Sequence, residues 1–341
     1  MDPRLNRRQV IRSLVGGSLV LPGILSELLS AEAARADSAD PLAPKAPHFP
    51  AKAKRVIFMC MSGGVSHVDT FDPKPKLAEL NNTLVGRGPA RYLGPGWEFK
   101  RGGKCGTEVS DLFPHVRECV DDLCVIRSMK QEHNDHAQCT LGLHSGSVTF
   151  TRPSIGSWVS YGLGAANRNL PTFVVLAPQL PYAGAQAWTS DFLPACHQGT
   201  RVVPGAEPVP DLVRRAESER VQALELGLLD RFNRMHKQSR PADPLLDGRI
   251  KSFEIAYGMQ REMPEVLDLS QESDATLEMY GLERGSTKGF GWQCLVARRL
   301  AERGVRYIQL YHWGWDSHGT PTDKGLNVGL VGRCRDTDQP T

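Results

Sequence analysis

Apolar and polar positions fall in blocks along this chain. Val56 to Met61 is a run of six apolar residues. Such a run predicts a strand covered on both faces, as in parallel sheets flanked by helices. It stops at Ser62-Gly63-Gly64, and polar groups follow closely. Leu123 to Met129 predicts a second buried strand, Leu170 to Ala177 a third and Val305 to Tyr311 a fourth. Between them the period lengthens to that of helices. Ser110 to Asp122 reads as a helix, and Ser154 is placed to cap another that starts near Ile155. Asp211 to Arg240 is the clearest helix, with Asp211 as its cap. Its apolar stripe is Val221, Leu224, Leu228, Phe232 and Met235. Leu246 to Glu262 continues the pattern with Ile250, Phe253 and Tyr257. Gly289 to Arg303 turns Trp292, Leu295, Val296 and Leu300 inward. These helices are expected to be packing elements. Residues 84–106 and 178–208 read as long Pro/Gly-rich loops, of the kind that build lids or substrate walls. Strands alternating with helices predict an α/β fold, a mostly parallel sheet flanked by helices.

The two ends depart from this pattern. Residues 1–36 read as a targeting segment: Arg7-Arg8 in a twin-arginine context, an apolar stretch from Ser13 to Leu25, and Ala34-Arg35-Ala36 as a cleavage site. The apolar stretch is too short and too interrupted for a stable membrane span. Export by the twin-arginine route, to the periplasm or beyond, is the expectation. Residues 37–53 carry four prolines and no periodicity, and read as a linker. Residues 54–341 form the α/β domain. Leu326 to Thr341 shows no strand to pair and no clear helix stop. It does not read like the end of a domain.

Charge removes one class of function. The formal net charge is +3, and residues 1–36 hold five basic and three acidic side chains, so the rest carries +1. That gives no electrostatic case for nucleic acid. None of the eight cysteines forms a C-x-x-C pair, which argues against a zinc ribbon or a thioredoxin-like centre. After export, one or two disulfides could form among them.

The candidate chemistry lies just past three predicted strands. After the first come Ser66, His67, Asp69 and Asp72. After the second come Glu132, His133, Asn134, Asp135 and His136, with Thr140 and His144 beyond. After the last come His312, Asp316 and His318. Histidine and carboxylate together are a metal-ligand composition, and open α/β sheets hold their sites at strand ends. His136 and Thr140, four apart, would share one helical face. Asp316 and His318 are credible ligands to one metal. The alternative for each cluster is a polar loop that caps a helix or turn.

The twin arginines, VIFMCMSGGVSHVDTFDPKP, HNDHAQ, HSGS, RPSIGSWVSYGLG, DLSQE and FGWQCLVARRLAERGVRYIQLYHWGWDSHG occur in one order. Together they resemble the secreted bacterial family named domain of unknown function 1501, over residues 1–325. The resemblance implies an alkaline phosphatase/sulfatase-like fold and a metal-dependent hydrolase of phosphate or sulfate esters. It implies a divalent metal, zinc, calcium or similar, and a small-molecule or polysaccharide ester as substrate. The expected metal ligands are Asp316, His318, His133, Asp135 and Asp69. His136 and Thr140 are the catalytic candidates, and Ser66, His67 and His312 complete the site loops. The family's GEFGRTP-like and GRDH-like segments do not occur here, so the domain is expected to be C-terminally incomplete. The competing expectations are a non-catalytic exported binding protein on the same fold and an inactive fragment.

Overall fold

The computed structural model describes residues 40–205, 207–210, 212–240, 243–318 and 325–341. The segment read as a targeting signal and Asp211 lie outside them. Strand β1 is Val56–Ser62, followed by the one-turn helix α1, His67–Thr70, and by α2, Pro75–Leu80. A hairpin of β2, Phe99–Gly102, and β3, Thr107–Ser110, leads to the short α3, Pro114–Glu118. Helices α4, His136–Ser145, and α5, Ile155–Leu163, precede β4, Phe173–Leu176, and β5, Thr200–Val202. Then come α6, Glu219–Gln238; α7, Pro244–Leu267; α8, Asp274–Met279; and α9, Phe290–Glu302. Strand β6, Tyr307–Trp313, and α10, Val331–Asp338, close the described chain.

The main sheet has the order β1-β6-β4-β5, and every pairing in it is parallel. Period-two alternation splits its side chains between two cores. Val174, Leu176, Ile308 and Leu310 pack against α9 and α7 through Val296, Leu300, Met259 and Met263. Phe173, Val175, Tyr307 and Tyr311 face the other way, toward Val159 of α5 and Trp188. The sheet is therefore covered by helices on both faces, as the sequence predicts. A third cluster joins Val109, Phe113, Trp315, Leu330 and Cys334 beside the sheet.

Several expectations are corrected. Among the described residues β1 is an edge strand, paired on one side only, by β6. Its first residues, Val56 and Ile57, are 40% and 41% exposed, so an apolar run alone did not reveal how many neighbours the strand has. Leu123 to Met129 forms no strand, and Leu123, Ile126 and Met129 are exposed. A strand exists only where a partner accepts its backbone hydrogen bonds, and among the described residues none pairs with this segment. The predicted loop 84–106 instead ends in β2 and the turn of the β2–β3 hairpin. α6 starts later than predicted, capped by Ser218, whose side chain accepts from Val221 N. In α7 the inward residues are Ile255, Met259 and Met263, while Phe253 faces solvent. Leu42, within the stretch read as linker, is buried in the main core. All eight cysteines are free thiols. Residues 331–338 are helical and packed, and Asp338 caps α3 by accepting from His115 N and Val116 N at 3.0 and 2.9 Å.

Candidate metal centre

β1 ends in a turn that only glycine makes easily. Gly63 has φ +108°, and a Cβ there would lie 2.5 Å from Asp316 N. The missing side chain lets the end of β1 press against the segment after β6, where Trp315 N donates to Ser62 O at 3.2 Å. Asp316 and His318 therefore emerge at the carboxyl ends of β1 and β6. β6 is inserted between β1 and β4, which come earlier in the chain, so this is a point where strand order reverses and a crevice opens.

α4 supplies the third group. Asp135 caps it, accepting from Ala137 N at 2.8 Å, and Gly146 ends it in the left-handed region at φ +72°. His136, the first residue of α4, puts Nε2 3.2 Å from Asp316 Oδ2. His318 Nε2 contacts Asp316 Oδ1 from the other side. One donor atom from each of His136, Asp316 and His318 lies within 4.8 Å of the other two. Donors around a metal bonded at about 2.0–2.2 Å stand roughly 3–3.5 Å apart, so the set fits a divalent ion without a large movement. Two imidazoles and one carboxylate also match the donor chemistry of zinc and related ions, and three protein ligands leave a position open. Nearby, the buried hydroxyls of Ser62 and Ser317 have no hydrogen-bond partner among the described residues.

Aromatic side chains brace the cluster. His136 stacks on Tyr182 with centroids 4.6 Å apart, and Tyr182 stacks on Trp313 at 4.7 Å. Tyr182 Oη donates to Asp316 Oδ2 at 3.5 Å. Burial, then the Asp316 charge, raises the Tyr182 pKa, so the phenol keeps its proton. Deeper in, His144 Nδ1 lies 2.7 Å from the Thr140 carbonyl, which can only accept, so Nδ1 carries the proton. Nε2 is then the acceptor for Tyr311 Oη at 2.8 Å, and Tyr311 in turn accepts from Gln309 Nε2 at 2.5 Å. Burial lowers the His144 pKa and keeps the ring neutral.

The other expected site residues fall outside this set of three donors. His133 is exposed, and its Nδ1 accepts from Asp135 N at 3.0 Å. Asp135 is occupied as the α4 cap. Thr140 contributes its carbonyl to His144. His136, expected as catalytic, stands beside Asp316 and His318 in the donor set. Asp69 is buried and accepts from Ser66 Oγ at 2.5 Å. With Ser317, His318 and Trp97 it lines a cavity of about 330 Å³, so Asp69 belongs to an adjoining wall. His67 is exposed. Asp72 pairs with Lys74 at 2.7 Å, and that hydrogen bond lowers its pKa. His312 accepts from Trp315 Nε1 at 2.9 Å. Burial, then the Arg333 charge, pushes His312 down to about 4. It is a neutral structural group on the wall of a separate cavity of about 860 Å³. Sequence reasoning missed Tyr182, which lies in a Pro/Gly-rich loop, and Tyr311, which reads as one more strand residue.

A family model described as a protein of unknown function, DUF1501, matches residues 53–341. No curated protein and no solved structure matches the chain.

Proposed function

The chain belongs to the DUF1501 family, and from that premise we propose that it is a metal-dependent hydrolase-like protein acting on phosphate or sulfate esters. The observation that carries this reading is the meeting of His136, Asp316 and His318 at the carboxyl ends of β1 and β6. A divalent ion bound there would lower the pKa of a bound water and polarise an ester oxygen. His136 and His318 would present Nε2 to the ion, with Asp316 between them. The Tyr182–Trp313 stack would hold the His136 ring and shield one side from water. The cavity bordered by Asp69, Ser317 and His318 would take the substrate. The parallel sheet, with its cluster at the strand ends, supports the alkaline phosphatase-like reading of the fold. Arg7-Arg8 and the apolar stretch after them support export by the twin-arginine route to the periplasm or beyond.

The test is metal content of the purified protein by mass spectrometry, followed by assays with aryl phosphate and aryl sulfate esters. One ion per chain and metal-dependent ester cleavage are expected. A protein that binds no divalent ion would overturn the reading. One observation favours a second reading, a non-catalytic binding protein: among the described residues, no hydroxyl or thiol is held by hydrogen bond to His136. Bound metal without cleavage of either ester, together with retention on a polysaccharide column, would support it.

A further inference from the structure

α6 is amphipathic in the inverse of the usual sense. Its half-buried positions are Gln222, Leu226, Asn233 and Lys237. Two of them bind α7 through polar groups: Gln222 Nε2 donates to Gln260 Oε1 at 2.8 Å, and Lys237 pairs with Asp247 at 2.6 Å. None of its residues is fully buried. At about 100° per residue, the apolar stripe points roughly 150° away from the face that meets α7. Leu224, Leu228, Phe232 and Met235 are 55–67% exposed, and Val221 is 36% exposed. A helix anchored by polar groups, with its apolar side in water, marks an interaction surface.

The order of residues says what fits it. The stripe reads the same from either end about Leu228: Val221, Leu224, Leu228, Phe232 and Met235 are spaced 3, 4, 4 and 3. Laid antiparallel on a copy of itself, it sets Val221 level with Met235, Leu224 with Phe232, and Leu228 with Leu228. A two-fold interface needs this self-complementarity. Charge selects the same direction. Glu225 of one copy comes level with Arg231 of the other, whereas a parallel pair would set like charges level. The first half of α6 carries net −1 and the second half net +2. The helix has 20 residues and is about 30 Å long. Two such stripes pressed together bury on the order of 1,000 Å², the scale of a specific contact.

We propose that α6 is a self-association surface on which a second copy of this chain docks antiparallel about a two-fold axis at Leu228. The assignment is independent of the metal centre. The test is the molar mass of the full chain by light scattering across the micromolar range. The wild type should be a dimer. Leu228→Glu combined with Phe232→Glu should give single chains with an unchanged far-ultraviolet circular dichroism spectrum, because both side chains project into solvent. Glu225→Arg and Arg231→Glu should each raise the dimer dissociation constant a few-fold, and the double exchange should restore it. A wild-type chain that stays single at every concentration overturns the proposal, even if it binds lipid vesicles. So does a dimer that withstands the double glutamate variant.

Discussion

Tyr311 donates its hydroxyl proton to His144 Nε2 across 2.8 Å, and this bond ties α4 to β6. His136 stands on α4 and Asp316 follows β6, so the spacing of the candidate ligands depends on it. Tyr311 is 2% and His144 1% exposed. Tyr311→Phe removes the donor and leaves a buried nitrogen unsatisfied, at a cost of about 1–3 kcal/mol. Urea unfolding should show that loss, and metal titration should show weaker binding. Unchanged values in both measurements would remove the bond from the account.

Gly63 is the second fixed point. A methyl group there would meet Asp316 N and Cβ at 2.5 and 2.9 Å, on a backbone at φ +108°. Gly63→Ala should lower stability by about 1–3 kcal/mol. It should also weaken metal binding by displacing Asp316. Gly64 has nothing within 4 Å of the same position, so Gly64→Ala should pay only for its backbone and leave metal affinity unchanged. Equal metal affinities in the two variants would contradict the close approach.

Two neighbouring carboxylates should separate by role. Asp316→Ala removes a ligand, and the metal affinity should fall by at least about 100-fold, the upper range for loss of a supporting partner. Asp135→Ala removes a helix cap worth about 1 kcal/mol, so bound metal should persist while the melting temperature falls. Metal retained in Asp316→Ala, by mass spectrometry after dialysis, would sink the assignment.

Stability should fall with acid below pH 6.5. Burial, then the Lys45 charge, pushes His197 from 6.5 down to about 4, and His312 is held equally low. Above pH 6.5 both rings are neutral whether the chain is folded or not. As the pH drops, the unfolded chain takes up protons first, so stability drains away between about 6.5 and 4. At about 1.4 kcal/mol per unit for each group, the combined loss is of the order of several kcal/mol. His197 accepts or donates one bond, with Ser160 Oγ at 2.9 Å. In His197→Gln, denaturation midpoints measured from pH 7 to 4.5 should fall with a slope smaller by about one proton. A slope identical to the wild type would show that His197 titrates normally in the fold.

The sequence by itself determined what is local. Apolar runs marked β1, β4 and β6, helical spacing marked α6, α7 and α9, and Ser154 capped α5 as expected. The pair Asp316 and His318 was legible because two ligand-type residues flank one position just past a strand. Tertiary structure decided everything that depends on partners. The same residue types occur at His133, Asp135 and His136, but capping geometry spends Asp135 on α4 and leaves His136 to reach Asp316. Tyr182 joined the cluster through stacking, which spacing along the chain does not encode. Leu123 to Met129 has the composition of a strand and no neighbour to pair with. Val221 to Met235 has the period of a core-facing helix and a polar opposite face that packs instead. A periodicity states which side chains share a face. Only the assembled fold decides what that face meets.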